Sequence, residues 1–164
     1  MPTAIFLPLA VLAAAAALVM ITARNPITCA LALAACLVFL AGIFAGLDAH
    51  FLFAIQLLVY AGAIVVIVLF VIMLLNLREE DLKVEGLNLV RGGAAAAAGL
   101  VSFTVLGSLV TKVRLPAPAL GEGFGEAREV AALLFTRYIL PFEVVSIVLL
   151  VAIVGAVVLA KRHF

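Results

Sequence analysis

Five stretches of this chain run without Asp, Glu, Lys or Arg: residues 2–23, 25–47, 49–77, 92–111 and 138–160, the last interrupted only by Glu143. A helix crosses the ~30 Å hydrocarbon core of a bilayer in about 20 residues, and each stretch reaches that length. The pattern predicts an all-α integral membrane protein with five transmembrane helices, at about 3–23, 26–46, 51–77, 91–111 and 139–161, in a single membrane domain covering 1–164. A membrane β-barrel would instead alternate apolar and polar residues in strands of ~10 residues, and these apolar runs are continuous. The first stretch reads as a retained helix, because Met1-Pro2-Thr3 supplies no basic segment of the kind that opens a signal peptide. No internal repeat is evident.

The connections differ in character. Arg24-Asn25-Pro26 is a tight polar turn, with Pro26 suited to the first turn of the second helix. A second short turn runs from Gly46 to His50. Residues 78–91 are charged and read as a solvated loop. The longest connection, 112–137, holds Pro116, Pro118, Gly121, Gly123 and Gly125 and reads as irregular, with a short interfacial helix expected over 126–135. Lys and Arg concentrate on the cytoplasmic side of membrane proteins. Arg24, Arg78, Lys83, Arg91, Lys161 and Arg162 fall on one side; Lys112, Arg114, Arg128 and Arg137 fall on the other. The bias places the N-terminus outside and the C-terminus inside.

Composition narrows the function classes. Of 164 residues, 68% are hydrophobic and 12% charged, against ~25% charged in a soluble domain. A net charge of +1 provides no basic field for nucleic acid. Two cysteines make neither a disulfide framework nor a four-ligand zinc site. Cys29 and Cys36 stand about 10 Å apart along one helix at ~1.5 Å per residue, too far to be bridged, and read as small packing residues. There is no phosphate loop, no haem-ligand histidine pair and no nucleophile constellation, so the chain is expected to bind no metal or redox cofactor itself. Small residues crowd the helices: Gly42 and Gly46, the alanines 94–98, Gly155 and Ala156. Such positions let helix backbones approach closely in lipid, here either within the chain or against helices of other chains.

Polar groups inside spans are costly and individually informative. The third helix would be about 40 Å long at ~1.5 Å per residue, more than the bilayer needs, so it should tilt or bend. Gln56 and Tyr60 share one of its faces, and Gly62 meets the stiff β-branched run Ile64-Val65-Val66-Ile67-Val68. Two readings are open: a π-bulge, with Tyr60, Gln56 or water satisfying a freed carbonyl, or ordinary close packing at Gly62 with Tyr60 bonded to a neighbouring helix. Glu143 follows Pro141 at the start of the last span, either as a carboxylate stabilised by the helix N-terminus or as a proton-relay group. Asp48 and His50 sit in a turn, solvated or serving proton uptake.

Two segments carry more than hydropathy. One is Asp48-Ala49-His50-Phe51 through Gln56-Leu57-Leu58-Val59-Tyr60-Ala61-Gly62 to Val66, continued by Phe70-Val71-Ile72-Met73-Leu74-Leu75-Asn76. It resembles the third-helix motif of the subunit J family of NADH:quinone oxidoreductase, the small membrane subunit of respiratory complex I equivalent to mitochondrial subunit 6. The other, Leu140-Pro141-Phe142-Glu143 through Gly155-Ala156 and Lys161-Arg162, resembles the end of bacterial members. The likeness covers the second, third and fifth helices; the first and fourth, and the loop at 112–137, match in hydropathy only.

The resemblance implies a bacterial inner-membrane subunit of a proton-translocating enzyme. Flavin, iron–sulfur clusters and quinone belong to other chains of that complex. The implied partners are the quinone-site subunit, small subunit K and the antiporter-like subunits. The resemblance also implies that the helix around Tyr60-Ala61-Gly62 is a π-bulge helix whose rewinding opens or closes a water chain, with Val65 and Val66 excluding water in one state. Gln56, Tyr60, Gly62, Val65, Val66, Glu143 and Asp48 are then the proton-path and gating candidates, and no residue of this chain is catalytic alone. Related subunits of sister complexes with another electron donor fit the same residues, as does a purely structural role in assembly. A self-contained transporter would need charges at helix centres, and these are missing.

Overall fold

A computed structural model describes residues 3–75, 89–112 and 123–161. The charged connection at 78–91 falls almost wholly outside those residues, as do the end of the third apolar stretch at Asn76 and Leu77, the first part of the long connection, and Arg162 in the tail. The described residues are all helical apart from short turns. Helix α1 spans Thr3–Thr22 and α2 spans Pro26–Gly46. The third helix, α3, covers His50–Leu75. Helix α4 spans Leu89–Lys112, α5 spans Ala127–Thr136 and α6 spans Ile139–Ala160. Four of them, α1, α2, α3 and α6, are long and apolar enough to cross a membrane. In α4 the apolar stretch is the shorter Ala97–Leu109.

The turn between α1 and α2 follows from Asn25. Its Oδ1 accepts the Ile27 N–H at 2.9 Å and the Thr28 N–H at 3.4 Å, satisfying two of the amides that a helix start leaves unpaired. Asn25→Ala should therefore weaken the hairpin by about 1 kcal/mol, readable as a lower midpoint in denaturing-detergent titration of the intact protein. Several hydroxyls within the helices are satisfied locally. Thr22 bonds the Leu18 carbonyl, Thr104 that of Val101 and Ser146 that of Glu143, so none presents an unmet polar group to lipid.

Helix α2 is the hub: α1 packs along one side of it and α3 along another. A β carbon placed on Gly42 would touch the Leu9 side chain at 3.4 Å, ordinary van der Waals contact that shows how closely α1 approaches there. The buried positions are Ala13, Ala30, Ala32, Ala41, Ala49 and Val65, all but one of them alanine. Van der Waals contact between backbones, not interdigitated large side chains, holds this unit together. Helix α6 has no buried residue, and β carbons added at Gly99 of α4 or Gly155 of α6 would meet nothing within 4 Å.

The long connection is more ordered at its end than a purely irregular loop. Helix α5 occupies it one residue later than the 126–135 expected, and the Phe135 ring meets that of Phe142 edge-on at 4.9 Å, joining α5 to the start of α6. The turn at 123–125, just before α5, docks onto the turn between α2 and α3: the Phe51 N–H donates to the Gly125 carbonyl at 2.9 Å.

Candidate functional site

The third helix positions five of the seven candidates. From His50–Ile55 it winds as an α-helix, from Gln56–Ile64 as a π-helix, and from Val65–Leu75 as an α-helix again. Nine residues is wider than a single inserted turn. In this winding the Val65 N–H reaches back to the Tyr60 carbonyl, five residues away. That carbonyl therefore needs neither the Gln56 nor the Tyr60 side chain: a sustained run of i→i+5 bonds leaves no stranded acceptor in its middle. Both side chains are without hydrogen-bond partners among the described residues, so Tyr60 makes no bond to a neighbouring helix there.

Gly62 lies within the π winding. A β carbon on it would stand 3.0 Å from the Leu57 carbonyl oxygen, the carbonyl five residues earlier. That is tighter than side chains ordinarily tolerate, and the obstacle is backbone, which cannot swing away as a side chain can. Glycine at this position avoids that contact. Downstream, the valine pair is split. Val65 is 2% exposed and is the largest fully buried side chain, whereas Val66 is 57% exposed and points away from the unit. Tyr60 is 48% exposed. The helix therefore presents Tyr60 and Val66 outward while Val65 anchors it inward, beside α2.

Asp48 lies one turn before this helix and has a backbone task. It adopts φ 59°, in the left-handed region. Its N–H donates to the Ala45 carbonyl at 3.3 Å, and the Ala49 N–H donates to the Phe44 carbonyl at 3.0 Å. This pairing is the Schellman arrangement that stops a helix, and Asp tolerates its left-handed residue better than most side chains.

Glu143 is not brought to the others. Helix α6 begins at Ile139, two residues before Pro141, so Glu143 is its fifth residue and lies beyond the first turn. Helix α6 has no side-chain cap and no acid in its first turn, and Pro141 falls inside that turn. Glu143 is exposed, and α6 packs against α5 rather than against α3.

Gly125 is the residue whose importance the sequence did not single out. At φ 82° it lies so close to the Asp48–Ala49 backbone that a β carbon would collide with the Asp48 carbonyl oxygen. The alternating glycines at 121, 123 and 125 were its only signal. Among the described residues no three of His, Cys, Asp and Glu gather into a metal-holding group. Cys29 donates its thiol to the Ala23 carbonyl at 3.2 Å, and both cysteines are free thiols.

Residues 16–159 match the family model described as NADH-ubiquinone/plastoquinone oxidoreductase chain 6. The chain is 36% identical over 126 residues to the chloroplastic subunit 6 of an NAD(P)H-quinone oxidoreductase from Physcomitrium patens, covering 71% of this chain and 62% of that one. It is 35% identical over 161 residues to chain 6 of the NAD(P)H-quinone oxidoreductase of Synechocystis, covering 96% and 79%. Subunit J of the NADH-quinone oxidoreductase of Rhodobacter capsulatus is 32% identical over 167 residues, covering 94% and 79%. The chain thus spans 62% of the length of the moss relative and 79% of the other two. An apolar helical chain that winds a wide turn at Gly62 and matches this model from residue 16 to residue 159 belongs to the chain 6, or subunit J, family of the quinone oxidoreductases of complex I.

Proposed function

We propose that this chain is a core membrane-arm subunit of a proton-translocating NADH:quinone oxidoreductase, and that its third helix gates the coupling of quinone reduction to proton movement. The observation that carries the reading is the π-wound segment Gln56–Ile64, with Gly62 inside it and close to the Leu57 carbonyl. A segment with two windings of similar energy is bistable. Rewinding a run of this length from π to α tightens each turn and rotates everything after it by more than one residue's share of a helical turn. Val66, now outward, and Val65, now inward, would exchange exposure. A hydrophobic side chain swung into a narrow passage excludes water and breaks a proton-conducting chain. Tyr60, exposed and without a hydrogen-bond partner among the described residues, and Gln56 are placed to hold that water when the passage is open. Asp48 and Glu143, each outside the π segment, are candidates for the ends of the path.

Five crossings fit this role, and the contact at Gly125 supports them. Two segments that share a backbone hydrogen bond lie on one side of a bilayer, so the chain from Phe51 to Gly125 crosses an even number of times. Helix α3 is one crossing, and α4 supplies the second. With α1, α2 and α6 the total is five, the N-terminus lies outside and the C-terminus inside, as the Lys/Arg bias of a bacterial inner-membrane protein requires. The quinone-site subunit, small subunit K and the antiporter-like subunits are the partners this reading implies. The unburied face of α6 and the open space at Gly99 and Gly155 provide surface for them. Flavin, iron–sulfur clusters and quinone are held by other chains, which also set the electron donor. The relatives' names divide between NAD(P)H and NADH.

Electron cryomicroscopy of the assembled complex, oxidised and during turnover, tests the gate. The expected result is π winding at 56–64 in one state and regular α winding in another. The same winding in every captured state would leave only the structural, space-filling role.

A further inference from the structure

We infer that the crevice between the α1–α2 hairpin and the inner half of α3 is a binding site for an anionic phospholipid, with Arg24 holding the headgroup and one acyl chain lying along α2. The crevice has a volume of about 390 Å³ and an almost wholly apolar lining, to which Cys29, Ala30 and Leu33 of α2 and Val68 and Ile72 of α3 contribute. Its floor is opened by the small side chain of Ala30, which is 4% exposed. The polar end is Arg24, exposed at the rim and without a carboxylate partner among the described residues.

Two features point to a lipid. From Pro26 to Leu33 the floor runs about 10 Å along the helix at ~1.5 Å per residue, against a leaflet core of roughly 15 Å. The crevice therefore starts at the headgroup level and ends well inside one leaflet, along the path of an acyl chain. And its single charge is positive, on the side that the Lys/Arg bias makes cytoplasmic, where anionic lipids attract juxtamembrane basic groups. The site rests on the membrane placement of α1–α3; the proposed rewinding would turn Val68 and Ile72, but loss of the gating reading leaves the crevice described here standing.

The test uses the whole complex, stripped of native lipid and returned to nanodiscs that carry a trace of phosphatidylglycerol with a photoactivatable acyl chain. Cross-linked peptides are mapped by mass spectrometry. Labelling should fall on residues 26–33 and 68–72. Unlabelled phosphatidylglycerol should compete about fivefold better than phosphatidylcholine, the discrimination expected of one basic residue at a membrane surface. Arg24→Gln should abolish that preference. Val68→Phe, which narrows the crevice from α3, should lower labelling with either competitor. Equal competition by the two lipids, a preference that survives Arg24→Gln, or a second subunit cross-linked through Cys29 would overturn the assignment.

Discussion

Gly62→Leu in the assembled complex should slow quinone-coupled turnover and proton pumping at least about fivefold while leaving NADH oxidation by artificial electron acceptors unchanged. Two effects act with one sign. A β carbon at 62 stands 3.0 Å from the Leu57 carbonyl oxygen in the π winding, and crowding of that kind costs about 1–3 kcal/mol. In the α winding that carbonyl recedes from the residue five positions on, and a non-glycine residue there gains up to about 1 kcal/mol of helix propensity. A bias of about 1–3 kcal/mol between two states shifts their populations roughly 5–150-fold, toward the regular helix. Gly62→Ala carries the same β carbon without Leu's bulk and should give a milder slowing in the same direction. The measurement is coupled NADH:quinone activity and membrane potential in proteoliposomes, beside the artificial-acceptor rate of the same sample. Reduced assembly with normal turnover per assembled complex would assign Gly62 to packing alone.

Gly125→Val should detach the 123–125 turn from the start of α3 and lower the yield of assembled complex severely. The left-handed backbone at φ 82° costs a β-carbon residue about 1–2 kcal/mol, and a valine, branched at that carbon, fares worse. The collision with the Asp48 carbonyl oxygen adds overpacking of about 1–3 kcal/mol, and the Phe51 N–H loses its acceptor. Gly123 is the control. Its φ is 87°, but the nearest atom to an added β carbon is Glu129 Cγ at 3.6 Å, so Gly123→Ala should cost only the backbone conformation, about 1–2 kcal/mol. Limited proteolysis reads the difference: rapid cleavage near residues 112–137 in Gly125→Val and slower cleavage in Gly123→Ala. Equal protection of both variants would show that the contact at Gly125 contributes little.

The two predictions are linked by position. Gly125 ties the start of α3, and Gly62 lies about three turns further along the same helix. With that end tied by a backbone hydrogen bond, a change of winding at Gln56–Ile64 is taken up downstream, by rotation of Val65–Leu75. The largest displacement then falls in the half that carries Val66, Val68 and Ile72. Val65, buried beside α2, is the side chain such a rotation must extract, and its 2% exposure marks where resistance to it is concentrated.

The chain's own residues determined the class of molecule. Charge-free runs of about 20 residues demand helices in lipid, because each backbone amide there must find its partner within the segment. Asn25 before Pro26 fixed the start of α2, since an Asn side chain reaches the first free amides. The Gly62–Val68 run carried the signal of unusual winding, because a residue without a β carbon beside stiff branched ones is a local conflict visible in one dimension. Tertiary structure alone decided the rest. That Val65 is buried and Val66 is not depends on the phase of the helix after the π segment, and nine wide residues reset that phase. That Asp48 stops α2 depends on the Phe44 and Ala45 carbonyls being within reach. That Glu143 falls beyond the first turn of α6 depends on where that helix begins. And that Gly125 must be glycine depends on a turn more than seventy residues away in the chain, a proximity that arises only once the helices between them have run out and back.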